Sequence, residues 1–333
     1  MPFSWAHLTP PIRALAPMED VTDTVFRRIV ARCGRPDVFF TEFIHTDIVL
    51  ALRPDRPGLT PRLRFTDEER PLIAQIWGTD PAQYRAASLR LREMGFDGID
   101  INMGCPVRKI RKKGACAALI RTPTLAAELI EAAKAGGLPV SVKTRIGFDS
   151  VRTEEWVGHL LNQNIDALTV HGRTAVQESE GEADWEQIRL AVSLRDAAGV
   201  STRILGNGDI ATAAEIREFP GRYGVDGVMV GRGIFTDPYI FSTDGRAGRF
   251  ECSSASERVA LLTDHLCLYE DSWGEERNYE ILKKFYKIYL TGFDGASGLR
   301  DQLNETHDYK GAHQVLQAWH SGRSSSVETR VGG

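Results

Sequence analysis

The sequence predicts an α/β protein, and three observations lead to that prediction. Short apolar runs alternate with helical segments from Ile12 to about Phe241. Most runs are continuously apolar, as strands buried on both faces are. The chain has 333 residues, enough for one large domain with an appendage. The eight runs are Ile12–Met18, Val38–Phe43, Leu72–Trp77, Gly98–Met103, Val140–Thr144, Ala167–His171, Arg203–Asn207 and Gly227–Gly231. Eight strands alternating with helices over roughly 230 residues are typical of a (β/α)8 TIM barrel.

The helical segments between these runs have clear start and stop signals. One begins with Asp80 as N-cap and Pro81 at its first position, and it stops at Gly95. Another begins at Thr122-Pro123 and stops at Gly136-Gly137. Asp or Thr before proline starts a helix well, and glycine ends one. These signals support the alternation of strands and helices.

From about Ser253 the pattern becomes entirely helical. Periodic apolar residues predict helices over Ser256–Trp273, Glu276–Leu290, Leu299–Leu303 and Tyr309–Trp319. We therefore predict a barrel domain at residues 1–241 and a small all-helical domain at residues 242–320. Residues 321–333 have little apolar content, which predicts a disordered tail.

Charge and cysteine content exclude several classes of protein. The formal net charge is −4, so a nucleic-acid site must be a local basic patch. The five cysteines show no Cys-x-x-Cys spacing, so the sequence predicts no metal site and suits a reducing cytoplasm. No stretch approaches the ~20 apolar residues of a membrane span, and no obligate protein partner is predicted. The cysteines are Cys33, Cys105, Cys116, Cys252 and Cys267.

Polar residues gather at the carboxyl ends of the predicted strands. In a barrel these ends converge at one rim, where the active site lies. Their shared position is stronger evidence for a site than any one of them. In chain order they are Ala16-Pro17-Met18-Glu19, Gln75, Asn102 and Cys105, Lys143 and Arg145, His171-Gly172-Arg173-Thr174, Gly206-Asn207-Gly208-Asp209, and Gly231-Arg232-Gly233.

The last two loops predict a phosphate site. Barrels often bind phosphate after strands 7 and 8 through backbone N–H groups exposed at glycine, and Arg232 adds a charge. Tight turns that need glycine would explain these loops equally well. A phosphate, a buried lysine and a glutamine together suggest flavin mononucleotide (FMN), with Lys143 near the ring edge that becomes negative on reduction. Lys143 at the surface and His171 as a core histidine are the alternatives.

Cys105 lies just past a strand, between Gly104 and Pro106. Glycine can adopt backbone conformations closed to other residues, and proline restricts the residue before it, so we expect a fixed thiol. A thiol of ordinary pKa ~8.5 keeps its proton at neutral pH and can act as a general acid. The alternative is a small buried hydrophobic residue. Opposite a flavin, such a thiol would help saturate a C=C bond.

Six motifs together resemble one family. Ala-Pro-Met, Asn-x-Gly-Cys-Pro, Val-Lys-x-Arg-x-Gly, His-Gly-Arg-Thr, Gly-Asn-Gly-Asp and Gly-Arg-Gly occur here in the order found in tRNA-dihydrouridine synthases, from Ile12 to about Pro238. The resemblance implies an FMN barrel, a helical tRNA-binding domain, and reduction of a D-loop uridine with NADPH or NADH as reductant. It further implies that Cys105 protonates uracil C5 while flavin N5 delivers hydride to C6, and that Asn102 holds the uracil edge. The residues implied to hold FMN are Ala16, Pro17, Met18, Gln75, Lys143, His171, Asn207, Gly208, Asp209, Gly231 and Arg232.

Cations outside the motifs predict contacts to tRNA. The loop after Cys105 departs from the family's glycine-rich pattern and carries five cations in seven residues, which favours phosphate contacts over a merely solvated loop. A second group lies on the helical domain among aromatic residues that more often form a core than stack on bases. The predicted substrate contacts are Arg108, Lys109, Arg111, Lys112, Lys113, Lys283, Lys284 and Lys287, with Arg145 and Arg173 at the strand ends.

Two other functions stay open on the sequence. A flavin reductase of a free pyrimidine, such as a dihydroorotate-type enzyme, would use the same barrel, phosphate loops and lysine. It would not need the basic loop or the helical appendage. An RNA-binding relative without activity is the third possibility, although every position that the mechanism needs is occupied.

Overall fold

The computed structural model describes residues 2–51 and 61–328, with side chains through residue 321. Its central feature is a sheet of nine strands in which every pairing is parallel. The strands follow the order β1-β9-β8-β7-β6-β5-β4-β2, and β3 also pairs with β4. The strands are β1 (Ile12–Leu15), β2 (Phe39–Phe40), β3 (Ile44–His45), β4 (Leu72–Trp77), β5 (Gly98–Met103), β6 (Val140–Arg145), β7 (Ala167–His171), β8 (Arg203–Asn207) and β9 (Gly227–Val230).

A bridge between Ala14 and Val38 brings the two ends of this sheet together. The sheet is therefore a nearly closed barrel, and the predicted (β/α)8 fold is confirmed. Helices follow most of the strands along the chain. They are α1 (Thr24–Cys33), α2 (Thr46–Ala51), α3 (Pro81–Glu93), α4 (Arg108–Arg111), α5 (Pro123–Lys134), α6 (Thr153–Leu161), α7 (Trp185–Ala198), α8 (Ala213–Tyr223) and α9 (Gly233–Thr236).

The cap signals act as the sequence predicts at α3. The Asp80 carboxylate accepts hydrogen bonds from the N–H groups of Ala82 and Gln83, and Pro81 is the first helical residue. Such a cap contributes about 1 kcal/mol. The α5 helix likewise starts at Pro123, but the Thr122 side chain makes no capping hydrogen bond.

The second barrel position differs from the prediction of one strand over Val38–Phe43. It consists of β2 and β3, both paired with β4. Phe40 pairs with Ile73 and Ile44 with Ile76, so four residues on one side oppose three on the other. The extra residue is a bulge, which bends a strand and re-aims its side chains. It places the fully buried Glu42 at this end of the barrel.

Four helices and three short 3-10 segments follow the barrel. The helices are α10 (Ala255–Trp273), α11 (Tyr286–Tyr289), α12 (Ala296–Asn304) and α13 (Tyr309–Glu328). In place of the predicted helix Glu276–Leu290 the structure has a 3-10 helix, Tyr279–Phe285, followed by the short α11. Its buried residues Tyr279, Leu282 and Phe285 recur every three residues. That spacing suits three residues per turn better than 3.6.

Helix α13 extends further than the sequence predicts. It continues past Trp319 to Glu328, into the segment 321–333 for which we predicted disorder, and residues 329–333 lie outside the described part. Extending an existing helix is easier than starting one, because each added residue gains one hydrogen bond. The composition of residues 321–333 does not show that a packed helix precedes them. The predicted domain boundaries, 1–241 and 242–320, stay predictions.

The C-terminal helices pack on helix α1 of the barrel. Phe26 stacks on Phe285 with ring centroids 5.4 Å apart. Arg277 forms a nearly buried ion pair with Asp23, the N-cap of α1. These contacts fix the helical segment beside the loop that follows β1, at the carboxyl rim of the barrel.

Candidate functional site

Strand register explains why polar residues collect at one rim. Alternate residues of each strand face the barrel interior. Toward the amino ends these positions are apolar, including Ile12, Phe40, Ile73 and Leu205, which form one buried cluster. Toward the carboxyl ends the same faces carry polar side chains in register, with Gln75 paired to Asp100, Asn102 to Lys143, and His171 to Asn207.

A buried chain of hydrogen bonds runs across β4, β5 and β6. Ser141 Oγ donates to Asp100 Oδ1 at 2.6 Å, and Gln75 Nε2 donates to Asp100 Oδ2 at 2.7 Å. Asn102 Nδ2 in turn donates to Gln75 Oε1 at 2.9 Å. Burial raises the Asp100 pKa to about 6, although the bonds from Ser141 and Gln75 oppose the rise. This network fixes the Gln75 and Asn102 amides from below.

Asn102 also shapes the turn that carries the thiol. Its Oδ1 accepts hydrogen bonds from Gly104 N at 3.1 Å and Cys105 N at 2.9 Å. Gly104 itself has no positive φ, and a Cβ there would lie no closer than 3.4 Å to Lys143 O. The expectation that this glycine adopts a conformation closed to other residues is therefore wrong, because Asn102 stabilises the turn instead.

Cys105 is half-buried, and its thiol is more acidic than the sequence suggested. The largest influence on its pKa, which falls to about 7, is a hydrogen bond from Cys116. Burial opposes the shift, while the Val107 N–H and the cations Arg145 and Lys143 favour it. The assumption of an ordinary thiol pKa is thus wrong. Near neutral pH this thiol is poised between its protonated and ionised forms.

Cys116 is a site residue that the sequence analysis missed. It is fully buried, has a φ of +54°, and burial raises its pKa well above the ordinary range, so it keeps its proton. The Ala117 N–H donates to Cys105 O at 3.3 Å, which ties the two turns together. No sequence motif marks this pairing, because it depends on a loop that folds back over ten residues.

Lys143 lies inside the barrel rather than at its surface. Its Nζ donates to Asn207 Oδ1 at 3.0 Å, and Asn207 Nδ2 donates to Met229 O at 2.8 Å. Burial, with Arg145 nearby, lowers the Lys143 pKa to about 8. The amine is therefore held in a fixed place and is still largely cationic at neutral pH.

One cavity of about 500 Å³ brings the predicted cofactor residues together. This volume falls within the usual range for small-ligand sites, ≈ 300–1,000 Å³. Gln75 is not in its lining and lies fully buried. The lining includes Ala16, Pro17, Met18, Lys143, Arg145, His171, Arg173, Asn207, Gly208, Asp209, Gly231 and Arg232.

The two glycine loops form one wall of this cavity. Gly208 has a φ of +126°, and a Cβ there would lie 2.6 Å from Ala183 Cβ, so only glycine fits. A Cβ on Gly233 would lie 2.2 Å from Ile210 O, which shows how closely the two loops approach. Arg232 is two-thirds exposed and lies 4.0 Å from Asp209, leaving its guanidinium open to solvent. The wall can thus offer backbone N–H groups and one exposed cation to an anion.

His171 and Arg173 have structural partners at this wall. Arg173 Nη1 donates to His171 Nε2 at 3.1 Å, while Arg173 Nη2 binds both oxygens of Asp209. Burial and the nearby cations Lys143 and Arg145 lower the His171 pKa, so the ring is neutral. Arg173 is nearly buried and braces the loop of Asp209, although we predicted it as a substrate contact.

Arg145 is likewise buried and braces the Cys105 turn. Its Nε donates to Gly104 O at 2.7 Å, and its Nη1 donates to Thr174 O at 3.0 Å. Arg145 lines the cavity while it holds the turn beside β6. Its cation thereby lies close to the thiol and helps to lower the thiol pKa.

The basic loop lies beside the thiol, as its place in the sequence requires. Arg108, Lys109, Lys112 and Lys113 are exposed, and Arg111 is half-buried with its guanidinium 5.4 Å from the ring centre of Phe148. Four of the five cations are therefore exposed at the rim.

The cations of the helical segment are divided. Lys283 is committed to Glu280 at 2.8 Å and to Asn304 O at 2.7 Å. Lys284, which donates to Asp20 O, and the exposed Lys287 line a second cavity of about 700 Å³. Thr236 lines both cavities, so the two adjoin. The structure therefore separates Lys283 from Lys284 and Lys287.

Two negative findings apply to the described residues only. They contain no group of three or more His, Cys, Asp or Glu side chains arranged to hold a metal ion. Within residues 2–51 and 61–328, no helix is both long and apolar enough to cross a membrane.

Comparison with known proteins gives agreement along nearly the whole chain. The model of the dihydrouridine synthase (Dus) family matches residues 14–322. A probable tRNA-dihydrouridine synthase of Staphylococcus epidermidis is 44% identical over 318 residues, covering 95% of each chain. The probable tRNA-dihydrouridine synthase 2 of Bacillus subtilis is 46% identical over 305 residues, covering 91% of this chain and 92% of its own.

Solved structures are similar in fold alone. A 2-naphthoyl-CoA reductase complex matches with a TM-score of 0.55 and 12% identity, over 71% of this chain and 50% of that one. Histamine dehydrogenase from Rhizobium sp. 4-9 matches with a TM-score of 0.54 and 13% identity, over 79% of this chain and 49% of that one. The chain thus spans about half the length of each of these two structures. Both matches agree with the barrel fold.

Proposed function

The chain belongs to the dihydrouridine synthase family, and we propose that it reduces the C5=C6 bond of a D-loop uridine in tRNA with FMN and NADPH or NADH, in the cytoplasm. The observation that carries the proposal is that the cavity and the Cys105 turn lie side by side at the carboxyl rim of the barrel. The cavity that collects the predicted FMN residues adjoins the turn that fixes Cys105, since Arg145 belongs to both. A flavin and a proton donor could thus act on one pyrimidine.

The cavity suits FMN in its shape and charge. The glycine loops and Arg232 would take the phosphate, because the two loops leave little room for side chains at Gly208 and Gly233 and the Arg232 guanidinium is exposed. Lys143 would lie at the pyrimidine edge of the flavin ring, where negative charge collects on reduction. Asn207 orients the Lys143 amine for that contact. When bound, the flavin supplies the hydride equivalent that it receives from the nicotinamide reductant.

Cys105 would supply the proton that completes the reduction. Saturating the C5=C6 bond adds one hydride equivalent and one proton, so a donor must face the second carbon. The Cys105 thiol lies at the rim, and the Cys105 backbone N–H donates to Asn102 Oδ1. Lys143 and Arg145 would stabilise the thiolate that remains after transfer. Water must then return a proton to the sulfur before the next turnover.

The hydrogen bonds of Asn102 limit what it can do for the substrate. Both lone pairs of Oδ1 are used by the N–H groups of Gly104 and Cys105, and one Nδ2 hydrogen goes to Gln75. One N–H donor is left. Asn102 would therefore donate to a uracil carbonyl oxygen and could not accept from the ring N3–H.

tRNA is favoured over a free pyrimidine by the surface around the rim. Exposed cations of the loop 108–113 lie directly after Cys105, and Lys284 and Lys287 line the adjoining cavity. A small-molecule reductase needs neither group. A buried base of a folded RNA must also be extruded to reach the cavity. The rim between the barrel and the helical segment would receive the D-loop.

The direct test uses purified protein and unmodified tRNA. We expect a yellow protein whose flavin absorbance is bleached by NADPH, and a gain of two hydrogen atoms at one D-loop uridine by mass spectrometry. Reduction of free uridine or orotate in place of tRNA would favour the small-molecule reductase. A colourless protein that takes up no flavin yet binds tRNA would favour the RNA-binding relative.

The Cys105 pKa predicts the pH dependence of the reaction. A general acid must hold its proton, and kcat/KM reports the free enzyme. Since the thiol pKa is about 7, kcat/KM for tRNA should be level below pH 7 and fall about tenfold per pH unit well above it. Flavin reduction by NADPH, which does not use the thiol, serves as the control below pH 8, because Lys143 loses its own proton above that pH. A kcat/KM that rises or stays level from pH 7 to 9 would contradict the assignment.

A further inference from the structure

A tryptophan at the barrel mouth has no part in the mechanism above. Trp77 is the last residue of β4 and is half-buried. It follows Ile73 and Gln75 on the inward-facing side of the strand, and the register of Ile76 with Ile101 places it beside Asn102. Among the described residues it belongs to neither of the barrel's two hydrophobic clusters. The Trp77 indole therefore lies at the rim and does not pack in the hydrophobic core.

The position of Trp77 is fixed by the start of α2. His45 pairs with Trp77 across β3 and β4, and its ring meets the indole edge-on with centroids 4.5 Å apart. A Cβ on Gly78 would lie 2.8 Å from Thr46 Oγ1, so glycine lets the α2 start approach the end of β4. The indole is thus preorganised, which lowers the entropy cost of binding a partner.

A cation from the basic loop lies over the indole. Lys113 Nζ is 5.9 Å from the centre of the Trp77 ring and is exposed. The loop that carries it begins directly after Cys105-Pro106 and holds four further cations. The Asp47 carboxylate lies 3.3 Å from His45 Nδ1, so one negative charge accompanies the five cations of this loop. The charge around the indole therefore favours an anionic chain.

We propose that Trp77, with His45 and Lys113, forms a stacking platform for an unpaired nucleobase next to the target uridine. The inference rests on the proposed function, because it needs an RNA substrate. Extruding the uridine separates its neighbours from their stack, and an aromatic face restores part of that stacking whatever the base. Lys113, which lies over the indole in the free protein, would move off that face to meet the adjoining phosphate. The platform would hold the RNA strand in register with Asn102 and Cys105.

The test is a cycle of one protein change and one RNA change. Trp77→Leu keeps an apolar side chain of useful volume but removes the aromatic face. The RNA change places an abasic nucleotide beside the uridine that the wild-type enzyme reduces, once on each side in separate transcripts. Each change alone should lower kcat/KM about tenfold, the scale of one stacking contact. When the abasic nucleotide replaces the base that stacks on Trp77, the two changes together should lower kcat/KM no further than either change alone.

Salt dependence separates stacking from charge. Trp77→Leu should weaken tRNA binding without altering the slope of log affinity against log salt. Lys113→Ala should reduce that slope by about one contact. Phe219→Leu, at a half-buried aromatic on outer helix α8, is the matched control and should leave affinity unchanged. Flavin bleaching by NADPH and the melting temperature report on folding in each variant.

Two results would overturn the platform, and they differ from failure of the enzyme assignment. If Trp77→Leu stays within twofold of wild type on intact tRNA, the indole carries no base. If the abasic nucleotide lowers kcat/KM as much in Trp77→Leu as in the wild type, the base stacks elsewhere. If wild-type protein neither reduces nor binds tRNA, the proposed function itself falls and the platform falls with it.

Discussion

Replacing Cys105 with alanine is expected to lower dihydrouridine formation about 10²- to 10⁴-fold, the usual contribution of a positioned general acid. The methyl group has no proton to give to uracil C5. The flavin site should be unaffected, since the cavity lining does not include this residue. Single-turnover formation of dihydrouridine in unmodified tRNA, measured by mass spectrometry, gives the rate. Bleaching of the flavin by NADPH should keep its wild-type rate.

Two further cysteines serve as comparisons for this variant. Cys252→Ala removes an exposed thiol outside the site and should have no effect. Cys116→Ala removes the hydrogen bond that most lowers the Cys105 pKa. It should therefore shift the fall of kcat/KM to higher pH and keep the activity at neutral pH. A Cys105→Ala enzyme that works within a few-fold of wild type would exclude the thiol as proton donor.

The second large effect is expected at Lys143. Lys143→Met retains the apolar stem and removes the amine, which lies inside the barrel against Asn207 Oδ1. A preorganised charge in a site of this kind contributes about 10²- to 10³-fold to rate. We expect flavin bleaching by NADPH to slow by that factor, because negative charge on the reduced ring loses its partner. Stopped-flow absorbance measures the rate directly.

The fold should tolerate this change at Lys143. Burial already disfavours its cationic form, as its lowered pKa of about 8 reflects, so removal of the amine relieves a desolvation cost. Lys109→Met, on the exposed basic loop, is the control and should leave bleaching unchanged. Wild-type bleaching in Lys143→Met would show that the lysine does not act on the flavin.

The strands were the most predictable part of this fold. Four of them, β4, β5, β7 and β8, have the bounds that the apolar runs predict. A continuous apolar run bounded by turn residues is a strong local signal for a strand buried on both faces. The second barrel position was wrong, because its bulge arises from pairing with β4 and leaves no mark in Val38–Phe43. The helix Glu276–Leu290 was wrong for a related reason, since a repeat of three and a repeat of 3.6 differ little over seven residues.

The candidate site was predictable as a set of residues but not as a set of contacts. Motifs placed Lys143, Asn207 and Gly208 at strand ends, and the cavity brings them together. Motifs did not reveal that Arg173 is committed to Asp209, or that Lys283 is committed to Glu280. The sequence does not show which carboxylate or carbonyl oxygen a given cation contacts, because that pairing depends on the fold.

The amino-acid sequence by itself determined the barrel, the rim at which its chemistry gathers, and the identity of the thiol and the lysine. Those features follow from local periodicity and from residue types at strand ends. Only the tertiary structure decided the acidity of Cys105, the single free donor of Asn102 and the position of Trp77. Each of these depends on a neighbour distant in sequence, Cys116, Gln75 and His45 respectively. Hydrogen bonds and electrostatic interactions act over a few ångströms of space, and separation along the chain does not set that distance.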